Sequence, residues 1–350
     1  MLAAYVSGHG YGHLVRLCEV LRAVRAAAPD LPITLTGTVP EGLVRRDVSD
    51  PLALRPVACD VGLVQRDALE IDEAESARRC AAFDAGWEAV VEREAAFLRR
   101  SDARLVLADL PALPFEAAAR AGVPAVGCSN FSWDWIYRHL AVRQPTLLAS
   151  AERAARAYAH AALLLELPFA GELSAFPRRE PVGFVARRPG APRTEARRRL
   201  GLDGRPVVLV SFGGIGVPAL TRPVLAREAA WQWLFPEDLT EERLARAGLR
   251  YIDAVGASDV VVTKPGYGIV TDAIACGARV VYTERGDFPE YPVMVAEMPR
   301  WLACVHVPNA ELRAGRIAEP IRRALELPVP PPPELGGAER AARRVLDLLG

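Results

Sequence analysis

A chain with 43 basic side chains contains one lysine, Lys264; the other 42 are arginine. It also lacks a net charge, because 43 acidic residues balance the basic ones. That balance supplies neither the basic excess of a nucleic-acid binder nor the polybasic face of a membrane-surface protein. The six cysteines (Cys18, Cys59, Cys80, Cys128, Cys276, Cys304) include no CxxC pair and no metal-ligand spacing. Most sit inside apolar runs, which points to buried free thiols in a reducing compartment. The chain enters an apolar run at Leu2–Val6 without the basic and apolar regions of a secretion signal. No apolar run approaches the roughly 20 residues of a membrane span. The expectation is a cytoplasmic protein with no transmembrane segment and no nucleic-acid partner. At 350 residues, 51% hydrophobic and 25% charged, it has the makings of two globular domains.

What is present is an alternation of strands and helices. Leu2–Val6 reads as a strand, SGHGYGH (Ser7–His13) as a glycine turn, and the next stretch as a helix with Leu14, Leu17, Cys18, Leu21 and Val24 at helical spacing. Gly8, Gly10 and Gly12 do not make GxGxxG, because position 13 is histidine, so a dinucleotide fingerprint fits poorly. Further strands are predicted at Ile33–Thr36, Leu52–Val57, Arg104–Ala108, Val123–Gly127 and Ala162–Leu167, with a structureless loop over Ala58–Asp72 and one long helix over Asp72–Arg99. The pattern predicts a mostly parallel α/β sheet over 1–178. Three prolines in Arg178–Arg193 mark 179–193 as a linker. A second α/β unit then runs over 194–335, with strands at Val207–Val210, within Arg222–Phe235, and at Val260–Val262, Arg279–Thr283 and Ala303–Val307. A proline-rich connection leads to a last helix in 336–350, expected to pack back on the first domain.

Several residues could carry chemistry. His9 and His13 bracket the first glycine turn, where a histidine serves as a general base or merely bonds its own turn. Asp109, after a strand, could orient that imidazole or cap the following helix. The SFGG turn (Ser211–Gly214) lets backbone approach a ligand closely, as it would in any strand-to-helix turn. TKPGYG (Thr263–Gly268) opens a helix, so its backbone N–H groups and Lys264 suit a diphosphate, with Thr271 and Asp272 one turn in, near where ribose hydroxyls would lie. Glu290, in the loop ERGDFPEYP, is placed to hold sugar hydroxyls or to be solvated. The two tryptophans of NFSWDWIY, Trp133 and Trp135, would stack on a sugar if exposed and form core if buried.

In order along the chain, VSGHGYGH, CDVGLVQRDAL, SNFSWDWIY, SFGG, KPGYG-x-V-T-D and DFPEYP resemble the glycosyltransferase-like module of plant arabinokinases and its stand-alone bacterial relatives. The resemblance covers nearly the whole chain. More distantly, the half containing TKPG is similar to nucleotide-sugar transferases with the GT-B fold: two Rossmann-like domains with parallel sheets facing across a cleft. The resemblance implies that Gly213, Gly214, Gly266, Tyr267, Gly268, Thr271, Asp272 and Glu290 bind the donor, beside Lys264, which its place in the turn already suits to the diphosphate. It implies His13 as the base, which Asp109, from its own place after a strand, would orient. His9, Gly10, Gly12, Asn130, Trp133 and Asp134 fall on the acceptor side.

The expectation is a transferase moving sugar from a nucleoside diphosphate sugar, UDP-linked, to an acceptor hydroxyl, with inversion and without metal or other cofactor. The rivals are an epimerase or hydrolase of nucleotide sugars on the same fold, and a module that binds a nucleotide sugar without turnover.

Overall fold

The computed structural model describes residues 1–213 and 216–350. The chain divides into two compact units. One comprises Met1–Val64, Ile71–Val185 and Leu335–Gly350; the other comprises Gln65–Glu70 and Ala186–Glu334.

The first unit contains β1 (Leu2–Val6), β2 (Ile33–Thr36), β3 (Leu52–Arg55), β4 (Leu105–Asp109), β5 (Ala125–Ser129), β6 (Leu163–Glu166) and β7 (Arg179–Pro181). They form one parallel sheet in the order β3-β2-β1-β4-β5-β6-β7. Every residue of β1, β4 and β5 is buried, as befits apolar strands covered by helices on both faces. The chain lays β2 and β3 on one side of β1, then returns to lay β4 on the other. The carboxyl ends of β1 and β4 therefore flank a topological switch point, where such sheets bind ligands. In register, Val6 lies opposite Asp109, and the Ser7 N–H donates to the Asp109 carbonyl at 2.8 Å.

Two expectations change here. Residues 179–181, read as linker, form the edge strand β7. The long helix over Asp72–Arg99 is interrupted at Gly86 into Glu73–Ala85 and Trp87–Arg100, the first capped by Asp72, which accepts from the Glu75 N–H at 3.0 Å. The last helix, Gly337–Leu349, packs on the helix Tyr11–Ala27 within this unit. Its first residue must be glycine: a Cβ there would sit 2.4 Å from the Phe184 carbonyl oxygen, with no room to shift backbone against backbone.

The second unit contains β8 (Val207–Ser211), β9 (Gln232–Leu234), β10 (Val260–Thr263), β11 (Arg279–Tyr282) and β12 (Cys304–His306), a parallel sheet in the order β12-β11-β10-β8-β9. Its switch point lies between β8 and β10. The segment Arg222–Phe235, expected as a strand, begins as a short helix, Arg222–Leu225, with proline in its first turn, and only Gln232–Leu234 pair with the sheet. Part of the loop read as structureless belongs to this unit's core. Ala68 and Leu69 pack with Val210, Val262 and Trp231, and the Ala68 N–H donates to the Gly216 carbonyl at 2.9 Å. Apolar side chains with no period of their own were recruited by another sheet. All six cysteines are free and four are buried. Among the described residues no helix is long and apolar enough to cross a membrane.

Candidate functional site

At the first switch point, the glycine turn delivers the helix Tyr11–Ala27, whose third and sixth residues are His13 and Arg16. Gly10 precedes it at φ +73°, a conformation that disfavours any residue with a Cβ. Both side chains are buried, together with Asp109, which closes β4. Asp109 Oδ1 lies 2.8 Å from His13 Nδ1, and Arg16 grips the same carboxylate through Nε to Oδ2 at 2.5 Å and Nη2 to Oδ1 at 2.7 Å. Arg16 also donates to Asn130 Oδ1 at 2.6 Å and Ser129 Oγ at 2.9 Å, both at the end of β5. Burial alone would raise the Asp109 pKa, but the charge of Arg16, followed by His13, reverses that and holds it below the ordinary carboxylate value.

The tautomer follows. An ionised carboxylate only accepts, so His13 Nδ1 carries the hydrogen, and in the neutral ring Nε2 carries the lone pair. Nε2 has no hydrogen-bond partner among the described residues, while Phe131 and Trp133 stand beside the ring at 5.4 and 6.2 Å between centroids. Asp109 is therefore no helix cap, and His13 does not spend its bond on its own turn.

The rest of the expected acceptor side is partly assembled. His9 meets the edge of Trp133 at 5.3 Å, and the Leu63 N–H donates to its Nδ1 at 3.2 Å. Trp133 is only 1% exposed and stacks on Tyr137, so it is core and offers a sugar no face. Asn130 is committed to Arg16, and its amide donates to the Phe169 carbonyl at 3.4 Å. Asp134 is buried in the first turn of the helix Trp133–Leu140, its carboxyl pushed up by burial and its Oδ1 unpartnered. Gly12 is exposed with open space beside it. A residue that sequence reading passed over, Asp60, receives the Trp133 indole N–H at 3.0 Å and the Gly8 N–H at 3.4 Å. Burial raises its pKa against the hydrogen bonds it accepts. Beside it lies a cavity of about 30 Å³ lined in part by Cys59, Cys80, Trp133 and Tyr137, room for a water molecule or two.

At the second switch point, Gly213 follows β8 at φ +75° with open space where a Cβ would lie. Gly214 lies outside the described residues. After β10, Lys264, Pro265 and Gly266 lead into the helix Tyr267–Cys276, whose first turn, including Gly268, holds no acidic residue and whose N-cap, Gly266, supplies no side-chain cap. Its leading N–H groups present partial positive charge. Lys264 Nζ has no hydrogen bond or ion pair among the described residues. Burial, then the charge of Arg285, pushes its pKa well below the ordinary 10.5, against opposing pulls from Glu290 and Asp67.

The acids expected to meet ribose and donor sugar are engaged elsewhere. Asp272 is held by Arg187 through both oxygens, Nε to Oδ1 at 3.2 Å and Nη2 to Oδ2. Glu290 opens the helix Glu290–Trp301 instead of standing in a loop, and Arg285 Nη1 donates to it at 3.0 Å. The Thr271 hydroxyl donates to the Gly268 carbonyl of its own helix at 3.1 Å. Sequence reading missed Arg16, Arg187 and Arg285. Arg16 had a legible signal, since it stands three residues after His13 and hence on the same helix face; the other two had none. Among the described residues no group of three or more His, Cys, Asp or Glu could hold a metal ion.

Solved structures that superpose on the chain include glycosyltransferases. UGT2 of Phytolacca americana, in complex with UDP-2-fluoro-glucose and pterostilbene, superposes with a TM-score of 0.60 at 11% identity, covering 99% of this chain and 94% of that one. The glycosyltransferase of kitacinnamycin gives 0.60 at 16%, covering 100% and 95%. Os79 of O. sativa, bound to UDP, gives 0.59 at 14%, covering 99% and 94%. The chain has the GT-B fold. No protein-family model matches it. It is homologous to L-arabinokinase of Arabidopsis thaliana, at 30% identity over 337 residues, which are 93% of this chain and 32% of that protein. An uncharacterised glycosyltransferase of Methanopyrus kandleri is 32% identical over 187 residues, 47% of this chain and 53% of that protein. The chain thus spans about a third to a half of the length of the curated relatives it matches.

Proposed function

We propose that this GT-B chain is a glycosyltransferase that moves a sugar from a nucleoside diphosphate sugar, UDP-linked, to an acceptor hydroxyl. The observation that carries the reading is the unpartnered Nε2 of buried His13, its tautomer set by Asp109 at a switch point. The acceptor O–H gives its proton to Nε2 as the oxygen bonds to the anomeric carbon. The bond from that carbon to the phosphate oxygen breaks on the opposite face, and its electron pair leaves with the diphosphate. The product is inverted. Lys264 and the positive, N-terminal end of the helix Tyr267–Cys276 take up the charge of the departing diphosphate without a metal ion.

The test supplies UDP-sugars and a panel of hydroxylated acceptors with EDTA present, following UDP release and the anomeric configuration of the product. Transfer with inversion is expected. Conversion or hydrolysis of the donor with no acceptor present would replace this reading with an epimerase or hydrolase. Tight UDP binding without turnover across the panel would favour a binding module. Phosphorylation of L-arabinose by ATP, the activity in the name of the plant relative, would overturn it.

A further inference from the structure

We propose that Arg16 is a positioning residue for His13: by gripping both oxygens of Asp109 it compels the imidazole to keep its lone pair on Nε2. The inference rests on the reading of His13 as the base. It adds the reason why a histidine bonded to a buried carboxylate remains a base at all.

The argument is one of charge. A buried carboxylate in contact with an imidazole and nothing else is an uncompensated negative charge, which the interior relieves by drawing a proton onto the ring. An imidazolium so formed has no lone pair and accepts no proton from an acceptor hydroxyl. Here the carboxylate already has a permanent counter-charge. Arginine does not lose its proton in proteins, and Arg16 meets Asp109 with two parallel hydrogen bonds, the strongest arrangement for this pair. Asp109 and Arg16 sum to zero, so a further proton on His13 would be an unpaired buried positive charge with the guanidinium beside it, its Nη2 3.1 Å from Nδ1. Both atoms are donors, so that approach is a repulsive contact that a neutral ring tolerates and a charged ring does not.

The grip is itself fixed. Asn130 Oδ1 and Ser129 Oγ hold the other edge of the guanidinium, so Arg16 cannot swing away and leave the carboxylate to the imidazole. The other groups near His13 do not replace this control. His9 lies 6.4 Å away between ring centroids, with its Nδ1 taken by Leu63. Asp60 attracts a proton towards the ring, but its own oxygens receive the Trp133 indole and the Gly8 N–H.

The experiment is ¹⁵N NMR of the full chain labelled at histidine, with the His13 signals assigned by their loss in His13→Gln. In the wild type at neutral pH, Nδ1 is expected protonated and Nε2 unprotonated. Arg16→Met is expected to bring a proton to Nε2 and to lower kcat by about 100-fold or more, the scale of a lost general base, with UDP affinity unchanged. Arg16→Lys restores the charge without the fork, so Nε2 stays unprotonated while kcat recovers only in part. A wild-type Nε2 that carries a proton, or an Arg16→Met protein whose Nε2 stays bare, overturns the inference. Should Arg16→Met fail to fold, Arg16→Lys decides: a protonated Nε2 in that variant is equally fatal. The NMR result needs no turnover. A wild type with the expected tautomer but no sugar transfer would therefore sink the glycosyltransferase reading and leave the role of Arg16 standing.

Discussion

The two switch points of this molecule are built alike and charged differently. Each lies between the first strand of its sheet and the strand laid on that strand's other side, and each is followed by a turn and a helix. At the first, the Asp109 carboxylate has its counter-charge in Arg16 and is shared with His13, whose Nε2 is left without a hydrogen-bond partner. At the second, the acids are consumed by arginines, Asp272 by Arg187 and Glu290 by Arg285, and a lysine is left over beside an uncapped helix start. A closed charge account with a spare lone pair suits proton exchange. A surplus of positive charge suits an anion. The same topology thus holds two kinds of chemistry, and the difference lies in which group lacks a partner.

The sharpest way to break that comparison is to remove the spare group on each side. His13→Ala should lower kcat for transfer by about 10²–10⁴-fold, the usual range for a positioned base, with UDP affinity unchanged by calorimetry. A variant at full activity would remove His13 from the chemistry. Lys264→Met should do the reverse, weakening UDP by roughly tenfold or more, since a charge-assisted hydrogen bond to phosphate is lost. Equal UDP affinity in wild type and Lys264→Met would show that the surplus charge is not used for anions. The same variant should melt a few degrees higher than the wild type without ligand, because it no longer buries a disfavoured charge beside Arg285. The sign can be followed with pH. A lysine whose folded pKa is depressed costs stability in full below that value, and the cost fades as pH rises towards the unfolded value near 10.5. The melting advantage of Lys264→Met should therefore shrink as the pH rises into the alkaline range.

How far the sequence carried this picture depends on the range of the signal. Helical spacing after Val6, continuous apolar strands and glycine turns are local, and they located both switch points and placed His13, Asp109 and Lys264 on them. What failed to show was set by partners distant in the chain. Asp109 lies 93 residues from Arg16, and Asp272 lies 85 from Arg187. The aromatic segment at Trp133 left stacking surface and core both open, and only the fold shows the ring buried against Tyr137 and His9. Ala68 and Leu69 carry no periodic pattern because they serve a sheet formed by residues more than a hundred positions later.

A second consequence of the depressed Lys264 lies in how binding shifts its proton. An anion at the turn after β10 favours the charged ammonium, so in the pH range around the depressed value UDP should bind with proton uptake, and its affinity should fall with rising pH sooner than an ordinary lysine, near 10.5, would make it. Calorimetry in buffers of different ionisation enthalpy measures this directly. Apparent enthalpies that do not depend on the buffer would show that Lys264 is already protonated, or that the anion binds elsewhere. Lys264→Met should abolish most of the buffer dependence.

The smallest effect expected is at Asp272, and it tests whether an acid that is already paired can also read ribose. Both carboxylate oxygens are occupied by Arg187, whose guanidinium lies 5.6 Å from the Tyr251 ring, and the Tyr251 hydroxyl donates to Ser211 Oγ at 2.6 Å, where β8 ends. In that arrangement Asp272 shapes the turn through Arg187 and Tyr251. Asp272→Asn should then weaken UDP and 2′-deoxy-UDP by the same modest factor, about two- to fivefold, the scale of a weakened hydrogen bond. A direct bond to the 2′-hydroxyl predicts something else: the variant would lose affinity for UDP and keep it for the deoxy nucleotide. Equal losses would place the ribose contact on another residue of the second switch point and leave Asp272 with the structural task its two bonds to Arg187 describe.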